Sequence, residues 1–103
     1  MIMEKTIKVI PVFHTDDFED RINRNGYSER TCECCGRKLN PARTKWVQML
    51  ETGEWTDEEK EVKELVGHWG RSQGCFGVGP DCYKMIRARL DASTTTRLAI
   101  VND

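Results

Sequence analysis

The sequence lacks long apolar runs, a marked net charge and any internal repeat. No stretch approaches the roughly 20 consecutive apolar residues that a helix needs to cross a bilayer. The first ten residues, MIMEKTIKVI, carry charges too early for the apolar segment of a secretory leader. With 16 Lys and Arg against 17 Asp and Glu, bulk charge does not draw the chain to polyanions. We therefore expect a cytoplasmic protein that does not bind membranes.

The chain is also short and poor in apolar side chains. Of its 103 residues, 38% are hydrophobic and 32% are charged, so burial alone offers limited compensation for chain entropy. We expect one domain over residues 1–92, followed by a tail over residues 93–103. A domain of this composition is expected to need an additional stabilising element such as a bound metal ion.

Five cysteines provide the strongest signal. Their odd number and the absence of a leader fit a closed disulfide framework poorly. Cys32 and Cys35 have the C-x-x-C spacing of a zinc knuckle, in which one tight turn brings two thiolates to a tetrahedral ion. Gly36, directly after them, can adopt a positive φ and leave a backbone N–H facing sulfur. Cys34 is predicted to be a noncoordinating thiol that points out of this turn.

The second pair of thiols is Cys75, in a glycine-rich segment, and Cys82, in the first turn of a predicted helix. Pro80 and Asp81 suit the start of that helix, whose positive end favours the thiolate form of Cys82. Six residues separate the two thiols, which is wider than a second knuckle, so His68 remains an alternative to Cys75 as the fourth ligand. The predicted ligands of one structural zinc ion are Cys32, Cys35, Cys75 and Cys82.

The remaining elements are placed around this zinc module of residues 31–92. An N-terminal strand over residues 4–12, interrupted at Pro11, and a short helix that ends at Asn25-Gly26 are expected. A hairpin is expected from residues 46–50 and from Trp55, which begins either a short return strand or a loop. A knuckle, a hairpin and a helix that carries the last ligand follow one another in the order of a treble clef. The predicted fold class is therefore α+β, a small zinc-stabilised treble-clef-like domain.

Two further segments are assigned by pattern. Residues Asp57 to Trp69 read as an amphipathic helix inserted after the hairpin, with a capping box at Thr56 and Glu59. Its apolar side chains, Val62, Leu65, Val66 and Trp69, recur at helical spacing. The segment after Asp91 is either a frayed tail or a linker with one terminal strand, Leu98 to Val101.

These motifs resemble the short zinc-binding proteins of phages and other mobile elements. The segments CECCGRKL and GCFGVGPDCYKMI are similar to the pairing of C-x-x-C-G-R-x-L with V-G-x-x-C at a helix start in those proteins. The resemblance covers roughly residues 31 to 90. It places Cys32, Cys35 and Cys82 at ligand positions, with Cys75 as the fourth. It implies a zinc fold and a host-directed or regulatory binding role.

A closed site of four thiolates has no open position for activating water, so we do not expect an enzyme. The leading hypothesis is a noncatalytic interaction protein, such as a phage-type inhibitor or regulator of a host protein. It would present the acidic helix or the zinc-proximal surface to that protein. The alternative is a nucleic-acid-binding module with a basic patch and a stacking tryptophan. The residues of that patch are Arg37, Lys38, Arg43, Lys45, Trp46, Lys84, Arg87 and Arg89.

Overall fold

The structure is a computed structural model that describes residues 2–102. Met1 and Asp103, the outer ends of the predicted domain and tail, lie outside the described residues. The elements, in chain order, are β1 Ile2–Pro11, α1 Phe18–Asn25, β2 Lys45–Leu50, β3 Glu54–Thr56, β4 Val62–Leu65, β5 Ser72–Val78, α2 Pro80–Ala92 and β6 Thr96–Asn102. The protein is thus a small α+β domain, as predicted. Neither helix of this part of the chain has the length and apolar character needed to span a bilayer.

All six described strands form one sheet in the order β4-β6-β1-β3-β2-β5, and every pairing is antiparallel. The long strand β1 joins the two halves of the sheet, because it pairs with β6 over residues 2–8 and with β3 over residues 9–11. Its side chains alternate, so Ile7 and Val9 enter one hydrophobic core while Ile10 enters the other. The core with Ile10 also contains the face of α2 and the cysteines of the knuckle.

The locally encoded elements follow the predictions. The predicted strand of residues 4–12 corresponds to β1, which begins two residues earlier and ends at Pro11. The helix α1 ends at Asn25, and its C-cap Gly26 adopts a φ of +77° and donates its N–H to the Ile22 carbonyl at 2.8 Å. The hairpin of β2 and β3 is confirmed, with Met49 opposite Trp55. Trp55 is fully buried and supplies the largest side chain of the core.

The predicted amphipathic helix over residues Asp57–Trp69 is wrong. The structure has β4, Val62–Leu65, in the middle of this segment, and β4 pairs with β6. Val62 and Leu65 are buried while the two residues between them are exposed. A spacing of three is compatible with a helix, but here a bulged strand satisfies it, because the register with β6 shifts between Val62 and Glu64.

A buried glutamine side chain holds the chain before β4 in its non-helical path. The Gln48 amide donates from Nε2 to the carbonyls of Glu58 and Lys60 at 2.7 and 2.9 Å. Its Oε1 accepts the N–H of Val62 at 2.9 Å. These bonds satisfy backbone groups that a helix would otherwise pair internally. The tertiary contact therefore overrides the local helical pattern.

The prediction of a separate tail over residues 93–103 is also wrong. β6 occupies residues 96–102 and lies between β1 and β4, paired with β1 at seven positions from Lys8↔Thr96 to Ile2↔Asn102. Ala99 and Val101 have no exposed surface. The alternative terminal strand, Leu98 to Val101, lies inside β6. The described residues after Ala92 are therefore part of the domain.

Candidate metal centre

The segment around Cys32 folds as a knuckle. Thr31 and Lys38 form an antiparallel bridge, and inside it the Cys32 N–H donates to the Arg37 carbonyl at 2.8 Å. The Gly36 N–H donates to the Cys32 carbonyl at 2.9 Å, and Gly36 has a φ of +77°. These bonds close the tight turn that the C-x-x-C-G pattern predicts.

The first helix fixes the position of the knuckle. Arg21 Nη1 donates to the Cys35 carbonyl at 3.0 Å, and the Thr15 N–H donates to the Cys34 carbonyl at 3.0 Å. A Cβ added at Gly36 would lie 3.0 Å from the Phe18 carbonyl oxygen. The knuckle and α1 are therefore in such close contact that a larger residue at position 36 would force one of them to shift.

Replacing Gly36 tests this contact. We expect Gly36→Ala to lower the free energy of unfolding by about 2 to 3 kcal/mol, because the positive φ and the contact with Phe18 are both unfavourable for a Cβ. Urea denaturation monitored by circular dichroism measures the change. Gly53→Ala is the matched control, since Gly53 has a φ of +81° and no atom within 4 Å of an added Cβ. We expect this control to cost only about 1 kcal/mol. Equal losses in the two variants would contradict the close packing.

The third thiol reaches the knuckle from α2. This helix begins at Pro80, and Gly79 is its N-cap rather than Asp81. The Gly79 N–H donates to Cys32 Sγ at 3.3 Å, which joins the start of α2 to the knuckle. One face of α2 buries Cys82, Ile86 and Leu90, so packing of the helix sets the position of the thiol.

The structure brings together Cys32, Cys35 and Cys82, whose sulfur atoms all lie within 4.8 Å of one another. All three side chains are buried. Sulfur ligands about 2.3 Å from a tetrahedral zinc ion lie about 3.8 Å apart, a separation compatible with the limit of 4.8 Å on the distances between these sulfurs. The three cysteines could therefore hold a metal ion, as the C-x-x-C spacing and the helix start predict.

The pKa values of Cys32 and Cys82 shift in opposite directions. Burial acts to raise the pKa of the Cys32 thiol, but backbone N–H groups, led by those of Cys35 and Gly79, outweigh burial and lower this pKa. Burial raises the pKa of Cys82, and the sulfurs of Cys32 and Cys34 raise it further. The expectation that the start of α2 lowers the pKa of Cys82 is therefore wrong, because burial dominates. A bound cation would supply the charge that three adjacent thiolates require.

Neither predicted fourth ligand joins the cluster. Cys75 is exposed and lies in β5 opposite Gln48, because the glycine-rich segment forms an extended edge strand instead of a loop that turns toward the knuckle. His68 is exposed, and its Nε2 lies 3.5 Å from Arg97 Nη1. The prediction of Cys75 as the fourth ligand is therefore wrong, and so is the alternative of His68, because both side chains lie outside the cluster.

The prediction that Cys34 points out of the turn is wrong, because its side chain is buried. Its side chain has no exposed surface and belongs to the core that contains α2. Burial raises the pKa of its thiol, although an interaction with the Cys82 side chain opposes this effect. Cys34 does not lie within 4.8 Å of all three sulfurs of the cluster. It is a neighbour of the metal centre on the side of the core.

The three thiols line a cavity of about 420 Å³ that opens to solvent. Arg37, Lys38 and Arg43 line the same cavity. Within residues 2–102 their side chains make no hydrogen bond or ion pair. We call these three side chains the cationic rim. The cationic rim places three unpaired positive charges beside the thiols.

A second cavity of about 610 Å³ lies beside β5 and presents aromatic side chains. Trp46 and Tyr27 are 59% and 55% exposed, and Phe76 is partly buried next to them. We call the apolar lining of this cavity the aromatic surface. Its residues are Tyr27, Leu39, Pro41, Trp46 and Phe76.

The sequence pattern did not reveal Tyr27 as part of this surface. Its hydroxyl donates to Glu33 Oε2 at 2.7 Å, and this hydrogen bond, aided by burial, raises the pKa of Tyr27 to about 12. Tyr27 and Phe76 are far apart in the chain. Their proximity depends on the knuckle's contact with β5, where the Glu33 N–H donates to the Gly77 carbonyl at 3.0 Å.

The other predicted partner-binding residues lie elsewhere. Lys45 is exposed on β2 beside Trp46, whereas Lys84 is exposed on α2 and lines neither cavity. Arg87 contacts Asp91 at 3.4 Å, and the guanidinium of Arg89 stacks 3.8 Å above the Phe13 ring. The structure therefore divides the predicted basic patch into a cationic rim, Lys45 with Trp46, and separate side chains on α2.

Comparison with known protein families, with curated proteins and with solved structures gives no match.

Proposed function

We propose that this protein is a noncatalytic, zinc-stabilised interaction protein that binds a partner protein through the aromatic surface and the adjoining cationic rim. In this proposal the metal ion is a scaffold. It holds together the knuckle and the start of α2, and the knuckle in turn supports the cavity that Trp46 lines. Three thiolates are soft ligands suited to zinc, and they form the protein part of a tetrahedral site.

The observation that carries the proposal is the exposure of Trp46 beside a large cavity. Tryptophan, tyrosine and arginine supply most binding energy at protein interfaces, and they do so when they fill or flank a pocket. The cavity also has Arg30, Glu29 and Glu33 in its lining, so charges of both signs surround the aromatic surface. A mixed lining fits a protein partner better than a nucleic-acid backbone, which two carboxylates would repel.

The absence of the predicted acidic helix narrows the choice of surface. Glu54 forms a two-bonded pair with Arg97 at 3.0 and 2.9 Å, and Glu58 lies 2.7 Å from Lys5 Nζ. Glu54 precedes the segment of the predicted helix and Glu58 lies within it, and both act within the domain. Glu59, Glu61 and Glu64 stay exposed, but on a loop and a strand rather than on one helix face. Of the two surfaces expected to contact a partner protein, the acidic helix is therefore excluded and the zinc-proximal surface is retained. A host-directed inhibitor or regulator, as the resemblance to phage zinc-binding proteins implies, would act through this surface.

A role without catalysis is supported by the lining of the cavity at the thiols. Its lining includes no histidine within the described chain, and Asp17, which does line it, pairs with Arg21 at 3.2 Å. Of the two carboxylates in this lining, Asp17 is thus engaged by Arg21, and Asp81 lies in the first turn of α2.

The second candidate function is nucleic-acid binding, which the cationic rim favours. Unpaired Arg37, Lys38 and Arg43 could contact phosphates, and Trp46 next to Lys45 could stack on a base. Such binding would weaken steeply between about 50 and 200 mM salt. The two candidates differ in which side chains carry the affinity.

The test compares two exposed tryptophans. A partner is captured from a cell lysate with the immobilised protein, identified by mass spectrometry, purified and titrated by calorimetry against each variant. We expect Trp46→Ala to weaken binding by about tenfold or more, because removing a central aromatic anchor costs about 1.4 kcal/mol or more. Trp69→Ala is the matched control: Trp69 is 73% exposed but lines neither cavity, so its loss leaves the affinity unchanged.

The same variants are tested with fluorescently labelled single-stranded DNA and RNA. Strong, salt-sensitive binding that is lost in a variant with Arg37→Gln and Lys38→Gln would favour nucleic acid and overturn the protein-binding proposal. Equal loss of protein binding in the two tryptophan variants would show that the aromatic surface is not the contact.

A further inference from the structure

We propose that the metal centre is open at its fourth position and takes a thiolate from outside this chain through the cavity that it faces. The inference rests on the metal site of the proposed function and goes beyond it. A tetrahedral zinc ion needs four ligands. The cluster supplies three sulfurs, Cys32, Cys35 and Cys82, and no fourth donor of the described residues lies within 4.8 Å of all three.

Cys75 and the candidate histidine lie away from the cluster, whereas Cys34 interacts with the Cys82 side chain from the side of the core. Cys75 is exposed on the edge strand β5, and His68 contacts Arg97. Cys34 is nearer, but its side chain is fully buried in the core and does not line the cavity that the three thiols share. The free side of the cluster therefore faces the cavity rather than another donor of this chain.

The cavity is wide enough for a ligand. Its volume of about 420 Å³ exceeds by far the roughly 30 Å³ of one water molecule. Leu39 and Pro80 contribute apolar walls, and the three thiols lie in its lining although each is buried. A small sulfur compound or the side chain of a docked cysteine could therefore reach the cluster.

The positive charge of the cationic rim and the sulfur ligands of the metal both favour a thiolate as the fourth ligand. Three thiolates and one Zn²⁺ leave a centre with one net negative charge, and the cationic rim places three unpaired positive charges around the same cavity. Asp17 in the same lining pairs with Arg21, and Asp81 adds one negative charge, so the cavity keeps an excess of positive charge that offsets a further anion entering the site. Among anions, a thiolate matches the soft sulfur set that already surrounds the metal. On binding, the incoming thiol releases its proton to solvent and donates a sulfur electron pair, so no oxidant or reductant takes part.

The probe is the Co²⁺-loaded full chain, because absorption bands of Co²⁺ report the number of thiolate ligands and the coordination geometry. Before addition of thiol, we expect the sulfur-to-metal charge-transfer intensity of three thiolates. Addition of 2-mercaptoethanol is expected to raise this intensity by about one third, from three sulfur ligands to four. The same titration is repeated with a short peptide that contains one cysteine. Tighter binding of the peptide indicates a protein-borne thiolate, and tighter or equal binding of 2-mercaptoethanol indicates a free small thiol.

Variants separate the open site from its alternatives. Cys34→Ser and Cys75→Ser are expected to retain the three-thiolate spectrum and its response to added thiol. Replacing the cationic rim by Arg37→Gln, Lys38→Gln and Arg43→Gln is expected to weaken thiol binding by about tenfold at low salt, since each exposed charge contributes modestly. Lys84→Gln is the control, because Lys84 is exposed but does not line the cavity.

Three results would overturn the inference. A four-thiolate spectrum without added thiol, reduced in Cys34→Ser or Cys75→Ser, would show that this chain closes its own site. One metal per chain with no response to any thiol would refute the open thiolate position while leaving the scaffold metal of the proposed function intact. A chain that folds without binding Co²⁺ or Zn²⁺ would overturn both proposals.

Discussion

Cys32→Ser is expected to abolish the folded state at neutral pH. Cys32 is the most highly connected thiol of the centre, since its sulfur accepts the N–H groups of Cys35 at 3.5 Å and Gly79 at 3.3 Å. Metal binding to such sites contributes on the order of 10 kcal/mol, which is comparable with the whole stability of a small domain. Circular dichroism and native mass spectrometry would show loss of structure together with loss of one metal ion per chain.

Two comparisons make this result specific. Treatment of the wild-type chain with an excess of a zinc chelator is expected to reproduce the Cys32→Ser phenotype, and added zinc is expected to reverse it. Cys75→Ser is the matched control, because Cys75 is exposed on β5 and lies outside the cluster. Equal metal retention in Cys32→Ser, Cys35→Ser, Cys82→Ser and Cys75→Ser would eliminate the metal-centre assignment.

Deletion of residues 94–103 is expected to leave an unfolded or aggregating chain. β6 lies between β1 and β4, so its removal takes the hydrogen-bonding partner from both strands. It also removes Ala99 and Val101 from a core in which Ile7 and Val62 are buried. Size-exclusion chromatography and thermal denaturation would detect the loss.

The control for this deletion is a point substitution on the same strand. Leu98→Asn changes a side chain that is 40% exposed, and we expect it to lower the free energy of unfolding by less than about 1 kcal/mol. A truncated chain that remains monomeric, with cooperative unfolding near the wild-type temperature, would show that the segment is dispensable after all.

The features that the sequence predicted correctly are those with local signals. The C-x-x-C-G turn, the Asn25-Gly26 end of α1 and the Pro80 start of α2 depend on residues that are adjacent in the chain. Their hydrogen bonds are also local, as in the bond from the Gly36 N–H to the Cys32 carbonyl. For this reason three of the four predicted metal ligands, Cys32, Cys35 and Cys82, come together in the structure.

The errors arose where distant residues decide the conformation. Val62 and Leu65 fit one face of a helix and one face of a bulged strand equally well, and only the Gln48 amide and the pairing with β6 select the strand. A related ambiguity affected Cys75. Its glycine-rich neighbours suggest turns, but pairing with β2 extends them into an edge strand, and no local pattern records that pairing.

The order of the sheet has a consequence for synthesis of the chain. Among the described elements β1 is made before all others, yet its partner over residues 2–8 is β6, which is made after every other one. Until then the edge of β1 is open to pairing with other chains, and closing the sheet requires contacts between the most distant parts of the sequence. The knuckle and α2 can meet earlier. If the three cysteines of the knuckle and α2 hold a metal ion, that centre can form before the sheet closes, and the open edge of β1 then depends on the arrival of β6 for its protection.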